Sequence, residues 1–380
     1  MTSILIVGQA SQKTGLARVT RAIAKQLGAR DDVHVLGIDC LDGGAGGEGW
    51  TLHANPRRID LYAEGRLTTL MDELRPSVVL LYNDLWVIPR YFEPLQEARH
   101  RCPVVGYVPI DGQIANSSLI MQLAPLDAVA VFTEFARAQL QPGCNAHVIP
   151  HGVDTSAFHP IARPDARKEL FPERPDLWDG FWVLNANRNQ PRKRLELTLR
   201  GFARFAENKP ANVRLYLHTG LNDIGVDLVR EAERLGIPDR LLLTHGGGND
   251  HPASSTASLN MIYNACDVGV NTATGEGWGL ISCEHAATRA AQIVPRHSAC
   301  AEIWDGAAEL MPVVRADETH FFNGGIIDPA DLADCLERLY ADRAHCESRA
   351  QSAYERMQDP AYRWERIGEQ WRALLHSRIS

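Results

Sequence analysis

Two glutamates eight positions apart, Glu276 and Glu284, span a glycine-rich turn, Gly275-Glu276-Gly277-Trp278-Gly279-Leu280, that opens into a helical pattern. Such a turn suits a sugar nucleotide. Small residues leave backbone N–H groups open to an anion, and a helix N-terminus adds about half a positive charge at the same point. Glu276, just ahead of the helix, is placed to accept hydrogen bonds from sugar hydroxyls, and Glu284, about a turn into it, to grip a ribose diol. A glutamate pair beside glycines reads equally well as a plain strand-to-helix connection with one solvated acid. The neighbouring segments must decide between the two.

Upstream, the strand-like Phe181-Trp182-Val183-Leu184-Asn185-Ala186-Asn187 leads into Arg188-Asn189-Gln190-Pro191-Arg192-Lys193-Arg194 and then a helical pattern. Guanidinium forks match phosphate oxygens in pairs, and a lysine supplies a compact point charge. Near mid-chain stands Pro150-His151-Gly152-Val153-Asp154, with Phe158 a few residues on. In this order and spacing the three segments resemble the retaining glycosyltransferases of family four, and the resemblance covers nearly the whole chain. Asn187 stands where that family usually has glycine, and Trp278 where phenylalanine is commoner.

The resemblance implies an α/β chain of the GT-B fold, two doubly wound Rossmann-like domains facing across a cleft. It implies that Arg188 and Lys193, with the N–H groups of Gly277, Trp278, Gly279 and Leu280, bind the donor diphosphate, while Glu276 meets the sugar and Glu284 the ribose. Gly15, in the loop after the first strand, corresponds to the family's glycine loop near the donor phosphates. Lys13 beside it is either a phosphate or acceptor contact or, more simply, a surface lysine. Asp111, after the fourth strand, is either an active-site acid touching sugar or acceptor, or a turn former beside Gly112. The implied chemistry is sugar transfer from a nucleotide-diphosphate sugar to an acceptor hydroxyl with retention. Arg188, Lys193 and the turn's amides stabilise the leaving diphosphate, and Glu276 orients the sugar. No bound metal and no cofactor beyond the co-substrate are expected. Same-face attack, in which the leaving phosphate takes the acceptor's proton, is preferred to a covalent intermediate.

Elements that would position these residues are readable. Apolar runs at 4–7, 33–38, 78–81, 104–108 and 128–132, and again at 182–184, 213–217, 241–243 and 268–270, alternate with helical patterns. That alternation predicts parallel sheets covered on both faces. Leu16, Val19, Ile23 and Leu27, and Leu195, Leu199, Phe202 and Phe205, mark two apolar helix faces. Pro160, Pro164, Pro172 and Pro175 interrupt regular structure, so the expected domains are 1–160 on the acceptor side and 161–357 for the nucleotide sugar. The helix in 358–380, with Trp364, Ile367 and Trp371 at helical spacing, either returns to the first domain, as in GT-B enzymes, or packs in the second. The cluster from Gly43 to Gly49 reads as a loop. The run Thr244-His245-Gly246-Gly247-Gly248-Asn249 is either a backbone surface for a base or a strand-end loop.

Composition narrows the class. A chain of 380 residues exceeds what one core usually serves. Its net charge of -8 argues against a general nucleic-acid binder. Eight scattered cysteines without a Cys-x-x-Cys pair predict a reducing compartment. The absence of a basic apolar leader and of any apolar stretch of about 20 residues predicts a cytoplasmic protein with at most peripheral membrane contact. The histidines lack metal-ligand spacing, and the missing Gly-x-Gly-x-x-Gly disfavours a nicotinamide site. The expected partners are a nucleotide sugar and a hydroxyl acceptor of unknown kind: a glycan, a lipid-linked molecule or a small molecule. A non-catalytic sugar-nucleotide binder, a GT-B phosphorylase and an epimerase are the competing readings.

Overall fold

Ile4, Leu5, Ile6 and Val7 are completely buried, as a strand covered on both faces requires. In the computed structural model they form β1 (Ser3–Gly8), an interior strand of a seven-stranded sheet. The structure describes every residue except 12–13, 42–45, 56–59, 222, 245–251, 253, 320 and 380. Lys13, Gly43 to Ala45 of the glycine cluster and the run 245–249 therefore lie outside the described residues.

Around β1 stand β2 (Asp32–Gly37), β3 (Trp50–Ala54), β4 (Val78–Tyr82), β5 (Val104–Tyr107), β7 (Ala128–Val131) and β8 (His147–Val148), with the two-residue strand β6 (Gln113–Ile114) between β5 and β7 in the chain. The sheet order is β3-β2-β1-β4-β5-β7-β8, and every pairing is parallel. A second, six-stranded parallel sheet contains β9 (Phe181–Asn185), β10 (Val213–Leu217), β11 (Leu241–Leu243), β12 (Val268–Val270), β13 (Ala291–Pro295) and β14 (Glu309–Met311), in the order β11-β10-β9-β12-β13-β14. An antiparallel hairpin, β15 (Val313–Glu318) and β16 (Phe322–Ile327), follows it.

Two compact units result. One comprises Met1–Ile110, Ile114–Gly152 and Pro360–Ser380; the other comprises Asp111–Gln113 and Val153–Asp359. In the first, Thr14 caps the helix Gly15–Gly28 by accepting from the Ala17 N–H, and Val19, Ile23 and Leu27 bury its inner face. In the second, the helix Leu195–Ala206 buries Leu195, Leu199, Phe202 and Phe205 over the sheet.

The helix Trp364–Ile379 belongs to the first unit. Its Arg372 guanidinium donates to Asp31 Oδ2 at 3.1 Å and to the Gln26 carbonyl at 2.9 Å, and His376 Nε2 lies 3.2 Å from Asp31 Oδ1. Trp371 is fully buried, edge-on to Tyr107 with ring centres 4.6 Å apart. His151 sits in the same cluster, its ring centre 4.0 Å from that of Phe132. Burial drives its pKa down to about 3, so it packs there as a neutral ring. No helix among the described residues is long and apolar enough to cross a membrane.

Trp371→Ala should remove about 3–5 kcal/mol from the first unit, the usual cost of deleting a large buried aromatic. Urea denaturation of the two proteins measures it. A loss below about 1 kcal/mol would mean that this helix does not complete that core.

Candidate functional site

In the second sheet β9 and β12 are neighbours, and the strand order reverses between them. Ligands of doubly wound sheets sit outside the carboxyl ends of strands at such a point. The two loops leaving these ends carry the site. Asn185, the last residue of β9, donates to Thr198 Oγ1 at 2.8 Å and accepts from the Asn187 backbone and side-chain N–H groups, both at 3.0 Å. The Thr198 and Thr272 hydroxyls are 2.9 Å apart, and Thr272 Oγ1 lies 3.0 Å from the carbonyl oxygens of both Lys193 and Arg194. A buried polar chain thus joins one loop to the other, and the Thr274 N–H adds a bond to the Arg192 carbonyl at 2.8 Å.

At this junction Lys193 Nζ donates to Glu276 Oε1 at 2.5 Å, and Asn271 Nδ2 donates to the same oxygen at 3.0 Å. Arg192 Nη1 donates to the Gly275 carbonyl at 2.6 Å and reaches Glu276 Oε2 at 3.4 Å, while its Nε lies 3.5 Å from Asp111 Oδ2. The Glu276 N–H donates to Ser298 Oγ at 3.3 Å. His297 Nε2 lies 2.9 Å from the Ala273 carbonyl, which only accepts, so that nitrogen holds the proton. His297 Nδ1 then accepts from Ser298 Oγ at 2.9 Å, and burial favours this neutral ring by lowering its pKa. Two non-glycine residues beside the pair have left-handed backbone, Arg194 (φ 50°) and Ser298 (φ 44°). Strain of this kind costs about 1–3 kcal/mol and persists only where surrounding bonds enforce it.

Burial alone would raise the Glu276 pKa. Lys193 and Arg192, with the hydrogen bonds from Lys193 and Asn271, more than reverse that and hold it at about 2. The carboxylate is therefore ionised at neutral pH and can only accept hydrogen bonds.

The other residues singled out in the sequence fall as follows. Asp111 joins the second unit, although it follows β5 of the first. Gly275 permits this, because a Cβ there would meet the Asp111 carbonyl oxygen at 2.6 Å. Arg188 is not gathered with Lys193. Nearly half exposed, it is paired with Asp223, its Nη2 2.9 Å and its Nε 3.1 Å from Oδ2. Gly279 caps the helix Leu280–Ala286 with φ +90°, a backbone conformation that suits glycine, and Trp278 is buried just before it. Glu284, on that helix, is buried and accepts from the Tyr263 hydroxyl at 3.0 Å. Gly15 opens a helix of the first unit. Sequence reasoning missed Asn271, His297 and Ser298 as parts of the site, and took Arg192 no further than the basic run suited to phosphate. Arg192 lay within the basic run, and Asn271 follows β12 directly, so both carried a positional signal; the 297–298 pair carried none.

A cavity of about 600 Å³ opens on the outer side of Arg192, with Asp111, Arg194, Asp317 and Phe322 in its walls. It does not include Glu276 or Lys193.

Because the Glu276 pKa is depressed, its stabilising effect is fully present above the ordinary carboxyl value of 4.5 and is lost as pH falls through about 2. The stability gap between wild type and Glu276→Gln should accordingly stay constant from pH 7 to pH 5 and shrink between pH 4.5 and 2. A gap that widened with acid in denaturant titrations would contradict this assignment.

No protein family matches the chain at the level of sequence, nor does any curated protein. Solved structures match it along nearly its whole length. Sucrose-phosphate synthase from Thermosynechococcus elongatus superposes with a TM-score of 0.76 at 18% identity, covering 98% of each chain. Anabaena HepE in complex with UDP and glucose gives 0.75 at 15%, covering 99% of this chain and 100% of its own. A UDP-forming trehalose-phosphate synthase from Burkholderia xenovorans gives 0.71 at 14%, covering 100% of both chains. With two doubly wound parallel sheets and this full-length likeness, the chain has the GT-B fold.

Proposed function

We propose that the chain is a retaining glycosyltransferase of the family-four type, moving a sugar from a nucleotide-diphosphate sugar to an acceptor hydroxyl without a metal ion. The reading rests on one constellation: Glu276, Lys193 and Arg192 drawn together where β9 and β12 end at the order reversal. The likeness in fold to sucrose-phosphate synthase, HepE with UDP and trehalose-phosphate synthase supports it.

Lys193 uses one of its three donors on Glu276, which leaves the others for diphosphate oxygens. Arg192 adds a guanidinium fork beside it. Arg188 joins them by exchanging Asp223 for a phosphate oxygen, and the N–H groups of Gly277 to Leu280 and the Gly15 loop complete the anion's surroundings. As the anomeric C–O bond breaks, negative charge develops on the departing diphosphate, and these groups stabilise it where it forms. The acceptor oxygen bonds to the anomeric carbon from the same face, and its proton passes to the leaving phosphate oxygen. Glu276, acceptor-only and already hydrogen-bonded, orients the sugar through its hydroxyls. Asp111, held beside Arg192, contacts sugar or acceptor, and Glu284 takes the ribose diol alongside Tyr263.

UDP-, GDP-, ADP- and dTDP-sugars are to be screened by thermal shift and by donor hydrolysis. At least one should stabilise the protein, by about 2.7 kcal/mol at a hundredfold excess over Kd. Lys193→Ala should cut kcat by about 100-fold or more, the usual effect of one preorganised donor. Glu284→Ala should weaken the donor by about tenfold, the equivalent of one charge-assisted hydrogen bond. If no sugar nucleotide binds, the reading fails; a covalent sugar adduct on Glu276 in intact-mass spectra would replace the same-face route.

A further inference from the structure

The cavity beside Arg192 is larger than a structural void and falls within the range of small-molecule sites, at about 600 Å³. Its walls come from the loop after β9, from residues 224–226 and from the hairpin β15–β16, with Asp111 and Gly112 at one end. The hairpin is closed by reciprocal bonds between Thr319 and Phe322: the Thr319 N–H donates to the Phe322 carbonyl at 3.1 Å, and the Phe322 N–H donates to Thr319 Oγ1 at 3.0 Å. It is seated against the site loop by the Gly325 N–H, which donates to the Thr274 carbonyl at 2.8 Å. The wall is therefore built in place, and Arg192 is shared between the cavity and Glu276.

Its charges are unevenly matched. Arg192 already faces two carboxylates, Asp111 and Glu276, and Arg194 is paired with Glu196. Asp317 also lines the cavity and makes no ion pair among the described residues. Three acids in the wall, Asp111, Glu196 and Asp317, thus stand against two arginines, Arg192 and Arg194. Apolar surface is supplied by Phe322 and by Ile224, which is 69% exposed. Carboxylates that accept from hydroxyl pairs, guanidinium donors and an apolar face together suit an uncharged saccharide. A phosphate ester would bring two more negative charges into a wall that already holds more acids than arginines.

We infer that this cavity is the acceptor subsite and that it takes an uncharged saccharide rather than a sugar phosphate. The acceptor role rests on the proposed transfer reaction; the preference for uncharged sugar rests on the cavity alone.

Saturation-transfer NMR on the full chain tests the preference directly, using neutral mono- and disaccharides, including glucose and maltose, against glucose 6-phosphate. Neutral sugar should bind, and the phosphate ester at least about tenfold more weakly. Asp317→Asn should weaken the neutral sugar and narrow the difference, while nucleotide-sugar binding by thermal shift stays unchanged. Phe322→Ala should weaken both sugars. Asp317 lies on a partly exposed hairpin strand, so this variant is expected to fold, and circular dichroism checks that it does. Equal or tighter binding of glucose 6-phosphate, no binding of any neutral sugar, or binding unaffected by both substitutions would overturn the inference. If sugars bind as expected but no nucleotide sugar does, the acceptor role falls with the transfer reaction, and that result is distinguishable from failure of the cavity itself.

Discussion

A carboxylate and an ammonium held 2.5 Å apart in the interior of the second unit constrain the structure around them. Taking both charges out of water costs several kcal/mol per ion, and their attraction offsets that only when the remaining lone pairs and protons are also satisfied. The Glu276 carboxylate has its other lone pairs met by Asn271 and Arg192, while Lys193 keeps donors unspent. The bonds from Lys193 and Arg192, with those made by Thr272 and Thr274, run between the loop after β9 and the loop after β12. The two loops accordingly behave as one piece, and the left-handed backbone at Arg194 and Ser298 is the strain this junction holds.

Buried ion pairs are weak evidence for stability and better evidence for function, because hydrophobic substitutes of similar volume are often as stable. Here the pair keeps a carboxylate ionised and acceptor-only at neutral pH beside a lysine with donors to spare. An incoming anion can share the cations without either charge first losing water, since that desolvation is already met in the folded chain. Asp111 and Arg192 extend the arrangement outward, so that the cavity wall and the ion pair have a guanidinium in common.

Parallel sheets explain why this junction lies where it does. In both, the first strand of the unit is interior, third from one edge, and the order turns back beside it, at β1 and β4 in one and at β9 and β12 in the other. Only there do two strand-end loops leave the sheet side by side, with their helices diverging to opposite faces. The first unit's corresponding loop carries Gly15 at a helix start.

Much of the fold was legible because buried parallel strands are continuous apolar runs, and β1, β4, β9 and β10 read that way at once. Seven strands escaped, β3, β6, β8, β13, β14, β15 and β16, and for three of them the physical reason is local. β3 is a partly exposed edge strand containing Thr51 and His53, β8 has only two residues, and the hairpin strand β15 is largely exposed and charged. Within the site, the spacing of Glu276 and Glu284 about a glycine turn and the basic run before Leu195 were explicit in the sequence, since each depends on residues a few positions apart. Partner choice was not. Lys193 meets Glu276 across 83 positions, Arg188 turns to Asp223, and Asp111 leaves the unit that precedes it for Arg192. Local pattern records which segments avoid water and which turns need glycine. Which of several neighbouring cations faces a given carboxylate depends on how distant loops pack, and that was decided only when the ends of β9 and β12 came together in the second sheet.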